Sequence, residues 1–91
     1  MKGKKLSEFI ESLYHNPEME IEYMDKRYMV SGYLEQEEYT LCVDTIEQAS
    51  ETVFISRNRE RQKCVEEFET ARIFAGRTIY EAEAEITVLY G

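Results

Sequence analysis

One histidine and two cysteines in this 91-residue sequence, His15, Cys42 and Cys64, are candidates for a nucleophile and its general base. A Cys-His or Ser-His-Asp arrangement would need His15, the only histidine, because an imidazole must accept the proton of the nucleophile. His15 falls at the predicted end of a helix, where the negative helix terminus favours it for structural reasons alone. The cysteines have no C-x-x-C partner, so we predict two free thiols in a reducing cytosol and no catalytic residues.

Carboxylates are abundant, with nineteen Asp and Glu residues, and could serve as general acids or as metal ligands. A general acid needs a pKa raised by burial, whereas Glu81, Glu83 and Glu85 fall on a predicted solvent-facing side. Zinc would need further histidines or a cysteine pair, and "DTIEQASE" gathers its acids too loosely for a calcium loop. No glycine-rich phosphate-binding motif is present. We therefore predict neither a metal nor a cofactor.

The net charge of −8 argues against binding nucleic acid, which requires an excess of Lys and Arg facing the phosphates. The basic residues concentrate at positions 2–5 and 57–63, so most of the remaining surface should be negative. Arg57, Arg59 and Arg61 fall at the predicted start of a helix, where the positive helix terminus favours acids instead. Two interpretations stay open: these arginines pair with acids of the sheet or the next subunit, or they bind a phosphate or an acidic segment of a partner.

Hydrophobic periodicity predicts the elements that position these residues. Apolar residues from Leu6 to Tyr14 follow the i, i+3, i+4, i+7 spacing of a helix, which Pro17 should end. Apolar and polar residues then alternate through "MEIEYMDKRYMVSGYL", which predicts two strands joined by a tight turn at residues 24–27. The segments "YTLCVDT", residues 39–45, and "TVFIS", residues 52–56, predict a third and a fourth strand.

Two helices are predicted after the strands. The first runs from about Asn58 to about Arg72, and the second begins at a capping box formed by Thr78 and Glu81 and runs to about Ile86. Residues 86–91 also alternate as a strand would, so a terminal strand stays open as an alternative. The predicted fold is of the α+β class, with an antiparallel sheet of three to four strands, helices on one face, and the order α-β-β-β(-β)-α-α in a single domain of residues 1–91.

The polar side of the predicted sheet is a candidate binding surface. Acids are usual on the solvent-facing side of a strand. Met29, Tyr33 and Cys42 are unusual there, because they are apolar or aromatic. An apolar patch rimmed by charge is typical of a protein interface. We expect this surface to bind a second copy of the chain or another protein. The candidate partner-binding residues are Glu18, Glu20, Glu22, Met29, Tyr33, Asp44, Arg57, Arg59 and Arg61.

The pattern as a whole resembles a known group of proteins. An amphipathic helix, "MEIEY" leading to "KRYMVSGYL", and a closing "IFAGRTIYEAEAEI" resemble small uncharacterised acidic proteins of bacterial genomes and mobile elements. The resemblance covers most of the chain, and consists of pattern and order, not of a chemical motif. It implies a bacterial accessory or interaction protein and no catalytic residues.

These observations lead to three functional hypotheses. The first is a non-enzymatic interaction module in the cytoplasm, whose acidic surface docks on a basic, nucleic-acid-binding partner, as inhibitors of nucleases and immunity proteins do. The alternative is a structural homo-oligomer, such as a homodimer, and the third is a small enzyme. No stretch approaches the roughly 18 apolar residues that a membrane span needs, so no membrane partner is expected.

Overall fold

The computed structural model describes residues 1–91 and has an α+β fold. The elements in chain order are α1 (Leu6–His15), β1 (Met19–Tyr23), β2 (Lys26–Glu35), β3 (Glu38–Thr45), β4 (Thr52–Asn58), α2 (Arg61–Thr70), α3 (Ile79–Ala82) and β5 (Ile86–Tyr90), with a 3-10 turn at Glu83–Glu85. This arrangement confirms the predicted class and the predicted order of the first seven elements, and adds a fifth strand at the end.

All five strands form one antiparallel sheet in the order β4-β3-β2-β1-β5. The first four strands form a meander, and the chain then crosses through α2 and α3 to place β5 beside β1. Lys2 pairs with the outer side of β5, because its amide donates to the Ile86 carbonyl at 3.0 Å and its carbonyl accepts from Val88 at 2.8 Å. The opposite edge of the sheet, β4, has no such cover.

The core lies between the helices and one face of the sheet. Alternate strand residues, such as Ile21, Val30 and Leu41, point into this layer and are fully buried. Phe9 of α1 and Phe68 of α2 pack against each other over them, with ring centroids 6.0 Å apart. Because the period of a strand is two residues, the intervening side chains all face the other way. That second face carries no packed helix and is called the open face below.

Tyr39 of β3 joins both helices to the sheet. Its hydroxyl donates to the Leu13 carbonyl near the end of α1 at 3.0 Å, and burial raises the pKa of the Tyr39 phenol, which therefore stays protonated. The Arg61 guanidinium, at the start of α2, lies 4.7 Å from the centre of the Tyr39 ring and donates to the Tyr14 carbonyl at 2.6 Å. Gly32 gives the ring its space, because a Cβ there would lie 2.3 Å from the Tyr39 hydroxyl oxygen.

The first two hairpins of the meander, β1-β2 and β2-β3, each turn through two residues with positive φ. The values are 50° and 63° for Met24 and Asp25, and 52° and 66° for Gln36 and Glu37. Positive φ at both central positions matches the type I′ turn, which suits the twist of the strands but favours Asn and Gly. The left-handed conformation costs roughly 1–2 kcal/mol for an ordinary L-residue. Both turns are therefore strained relative to an Asn-Gly turn.

Two predicted boundaries are wrong. The second helix begins at Arg61, not near Asn58, because β4 continues to Asn58 in register with Tyr39. The closing helix ends at Ala82 instead of near Ile86, because the last residues pair with β1 as β5 and satisfy its second edge. The end of α1 before Asn16 and the capping box, in which the Glu81 amide donates to the Thr78 hydroxyl, are confirmed.

The contact between Gly32 and Tyr39 can be tested by a double-mutant cycle. Gly32→Ala should destabilise the fold by about 1–3 kcal/mol through overpacking, and Tyr39→Phe by about 1–3 kcal/mol because the Leu13 carbonyl loses its donor. The double variant should lose less than the sum, since removing the hydroxyl removes the closest clash. Urea unfolding measures all four proteins, and strictly additive losses would show that these residues do not interact.

The first hairpin turn offers a stabilising change. Met24→Asn with Asp25→Gly should raise the free energy of unfolding by about 1 kcal/mol, because both residues suit positive φ. Lys26→Gly is the matched control in extended backbone and should lower stability by roughly 0.5–1 kcal/mol. Urea midpoints at an unchanged m-value measure both effects. A loss of stability in the Asn-Gly variant would contradict the turn assignment.

Candidate functional site

The register of the strands assembles the predicted residues on the open face. Met29 of β2 lies between Glu20 of β1 and Asp44 of β3 in one cross-strand row. Glu22 lies opposite Arg27 in the next row toward the β1-β2 turn. Tyr33 lies two rows from Met29 in the other direction, toward the β2-β3 turn. Glu18 is exposed just before β1. Five predicted residues of β1, β2 and β3 therefore share one surface, with Arg57 of β4 on the same face and Glu18 beside it.

The apolar part of the open face forms a second cross-strand row. It contains Cys42 of β3 between Ser31 of β2 and Ile55 of β4. The Ile55 side chain is 50% exposed, and the neighbouring Tyr33 is 47% exposed. Neighbouring exposed apolar groups with charged residues around them are typical of a protein-interaction site.

Most acids of the open face have no cationic partner within the chain. Glu20 pairs with Arg27, with 3.4 Å between carboxylate oxygen and guanidinium nitrogen, in a partly exposed and therefore weak contact. Asp44 accepts from the Thr52 hydroxyl at 2.5 Å. Glu18, Glu22 and Asp44 form no salt bridge. The surface therefore has unpaired negative charge next to its apolar row.

Cys42 is held as a protonated thiol on this face. Its sulfur lies 3.4 Å from the Ser31 hydroxyl and donates to the Asp44 carboxylate at 3.6 Å. Desolvation raises the pKa of the Cys42 thiol, and the nearby Asp44 charge raises it further. Cys64 is buried and donates to the Ser56 carbonyl at 3.5 Å. Both thiols are free, and the raised pKa of the Cys42 thiol is the opposite of what an activated nucleophile needs.

Three residues of this surface were missed by sequence reasoning. Ile55 was assigned to a strand but not to the open face, although its alternation with Phe54, which packs inward on Phe68, would have indicated it. Leu89 and Tyr90, 43% and 55% exposed, belong to β5, and Tyr90 lies opposite Glu20. Only the pairing of β5 with β1 reveals them.

The three candidate arginines do not form one cluster, and only Arg61 lies in α2, as its first residue. Arg57 lies on β4 opposite Thr40, and Arg59 is exposed in the connection to α2. Both line an open polar cavity of about 400 Å³ beside Tyr33. Arg61 instead stabilises the fold through Tyr39 and the end of α1. None of the three forms a salt bridge with a carboxylate.

Outside the open face, the histidine and the carboxylates do not gather into a metal-binding cluster. His15 ends α1 with its imidazole 3.8 Å from the Glu11 carboxylate, and both side chains are largely exposed. No group of three or more His, Cys, Asp or Glu side chains is close enough to hold a metal ion. A second cavity of about 400 Å³ is mainly apolar and lies beside the first hairpin turn, between Tyr28, Val53 and Ile73. The open face combines exposed apolar groups with unpaired charge.

Comparison with known proteins finds no relative of this chain. No protein-family model matches the chain, and no curated protein or solved structure gives a significant match. None of the helices is long and apolar enough to span a bilayer. The chemistry of the open face is therefore the basis for the function proposed below.

The environment of Cys42 predicts its reactivity. Iodoacetamide should alkylate Cys42 slowly in the folded protein, because its thiol pKa is raised. The rate should rise with pH, and the pH at half-maximal rate should lie above that of a free thiol. Asp44→Asn should lower this midpoint by removing the adjacent charge, whereas Cys64 should react only after unfolding. Mass spectrometry of time points, with Cys42→Ser as control, measures both sites. A midpoint unchanged by Asp44→Asn would contradict the described contact.

Proposed function

We propose that this chain is a non-enzymatic interaction protein whose open face docks on a basic protein partner. One observation carries the proposal: exposed apolar side chains, centred on Cys42 and Ile55, adjoin carboxylates that have no cationic partner in the chain. Protein interfaces combine an apolar centre with a polar rim in this way. The unpaired acids, Glu18, Glu22 and Asp44, are the groups that a cationic partner would neutralise.

The charge of the chain supports a basic partner over a neutral one. A net charge of −8 creates a long-range field that accelerates the encounter with a positively charged surface and disfavours acidic partners. Proteins that bind nucleic acid present such surfaces, since they must neutralise phosphates. An inhibitor or immunity-type protein that occupies the basic site of a nucleic-acid-binding protein is the specific form that we propose.

The shape and lining of the open face favour a protein over a small molecule. The apolar row lies on the surface of the sheet, and the adjacent cavity beside Tyr33 is lined mainly by polar groups. Small-molecule sites are usually concave and apolar. A broad sheet surface with exposed Tyr33, Ile55 and Tyr90 instead suits a partner of similar size, because aromatic residues provide much of the binding energy at such interfaces.

Charge reversal on the open face tests this proposal. Glu18→Lys, Glu20→Lys and Glu22→Lys together should abolish capture of a basic partner from native cell lysate, because the surface would repel it. The control triple, Glu11→Lys, Glu66→Lys and Glu67→Lys, changes net charge equally but lies on the helices and should preserve capture. Mass spectrometry of the bound proteins at low and moderate salt gives the readout, and thermal melts check folding.

Two outcomes would contradict the proposal. Equal loss of capture in both triple variants would mean that total charge matters and the open face does not. Recovery of only the chain itself, with no basic protein at either salt concentration, would mean that the open face has no partner of the proposed kind.

A further inference from the structure

The free edge of the sheet at β4 is a second surface without a partner. β4 ends the strand order and pairs only with β3, whereas β5 at the other edge is paired by Lys2. An unpaired edge presents a row of backbone donors and acceptors that can pair with another strand. Binding at this edge would use the backbone groups of β4, whereas binding at the open face would use side chains.

The hairpin geometry identifies which backbone groups of β4 point outward. The two-residue turn between β2 and β3 closes on Glu35 and Glu38, so this pair is hydrogen-bonded and alternate residues of β3 bond to β2. The intervening residues of β3, among them Leu41, therefore bond to β4. The backbone amides and carbonyls of their partners on β4 therefore point toward β3. Those of the alternate residues, Ile55 and Arg57, point away from the sheet toward solvent.

The edge lacks most of the devices that prevent association. Arg57 is the one charged residue of β4 and none of its residues is proline, and the Val53 and Ile55 side chains are 37% and 50% exposed. Natural edge strands usually carry a charge or a proline at such positions. A bulge opposite Val43 and Asp44 interrupts the start of β4 but leaves Phe54–Asn58 in regular pairing geometry.

We propose that β4 pairs in antiparallel orientation with β4 of a second copy of this chain. Glu51 precedes the strand, and Arg57 and Arg59 lie at its end, so a two-fold axis near Ile55 brings the acid of one copy to the arginines of the other. None of these three residues has a salt-bridge partner within its own chain. This local complementarity offsets the repulsion between two chains that each carry a charge of −8.

The pairing has a structural consequence for the whole molecule. Two five-stranded sheets joined at β4 form one continuous sheet of ten strands. The open faces of both copies then lie side by side on the same surface, with the two Ile55 side chains near the axis. A closed two-fold contact uses both β4 edges, so association stops at the dimer.

A charge swap tests the proposed contact. Arg57→Glu with Arg59→Glu should raise the dissociation constant of the dimer about tenfold, which corresponds to about 1.4 kcal/mol, and Glu51→Arg alone should also weaken it. Combining the three substitutions should restore dimer formation, because the charges are exchanged and remain opposite. Light scattering and sedimentation over a wide concentration range measure the association, and the rescue separates lost contact from lost folding.

Hydrogen exchange locates the contact independently. The Ile55 and Arg57 amides should become more protected as protein concentration rises, while amides of the β1 edge pairing with β5 should not change. A chain that stays monomeric, a dimer unaffected by the charge swap, or protection confined to another surface would each overturn the proposal. Failure here leaves the partner-capture result untouched, since that result depends on Glu18, Glu20 and Glu22 in and before β1, which β2 and β3 separate from β4.

Discussion

The packing of Tyr39 between sheet and helices is the constraint on which the rest of this structure depends. Its hydroxyl holds the end of α1 through Leu13, its ring supports Arg61 at the start of α2, and its own carbonyl lies 3.6 Å from the Cys64 thiol of α2. This arrangement is possible only because Gly32 on the neighbouring strand has no side chain. One residue therefore fixes both helices on the same face of the sheet.

The one-sided packing determines what the molecule can bind. With α1 and α2 on one face, the outward residues of all strands form a continuous surface, and the meander brings acids from β1 and β3 to either side of Met29. Antiparallel sheets tolerate such exposure, because one face suffices to build a core. The exposed apolar row and the unpaired acids are then available for recognition, without any further element to bury them.

Local patterns were sufficient where a residue's role depends on its neighbours in sequence. The period-two alternation placed Glu20, Met29 and Asp44 on one face, and Pro17 marked the end of α1. Local sequence patterns did not determine the structure where contacts between residues distant in sequence decide it. Residues 86–90 fit a helix or a strand, and only the unpaired side of β1 selects the strand. The sequence places Arg61 in a basic run. Its structural role, packing on the Tyr39 ring, depends on a residue that is distant in sequence.

The central claim is that the open face, and not the helical face, contacts the partner. The most direct measurement is an NMR titration of the isotope-labelled chain with the proposed basic partner, once capture has identified one, following amide and methyl signals. We expect changes to concentrate on the open-face residues of β1, β2 and β3, including Glu20, Met29 and Cys42, and to weaken at higher salt. Changes centred on α1 and α2, with the open face unaffected, would contradict the account.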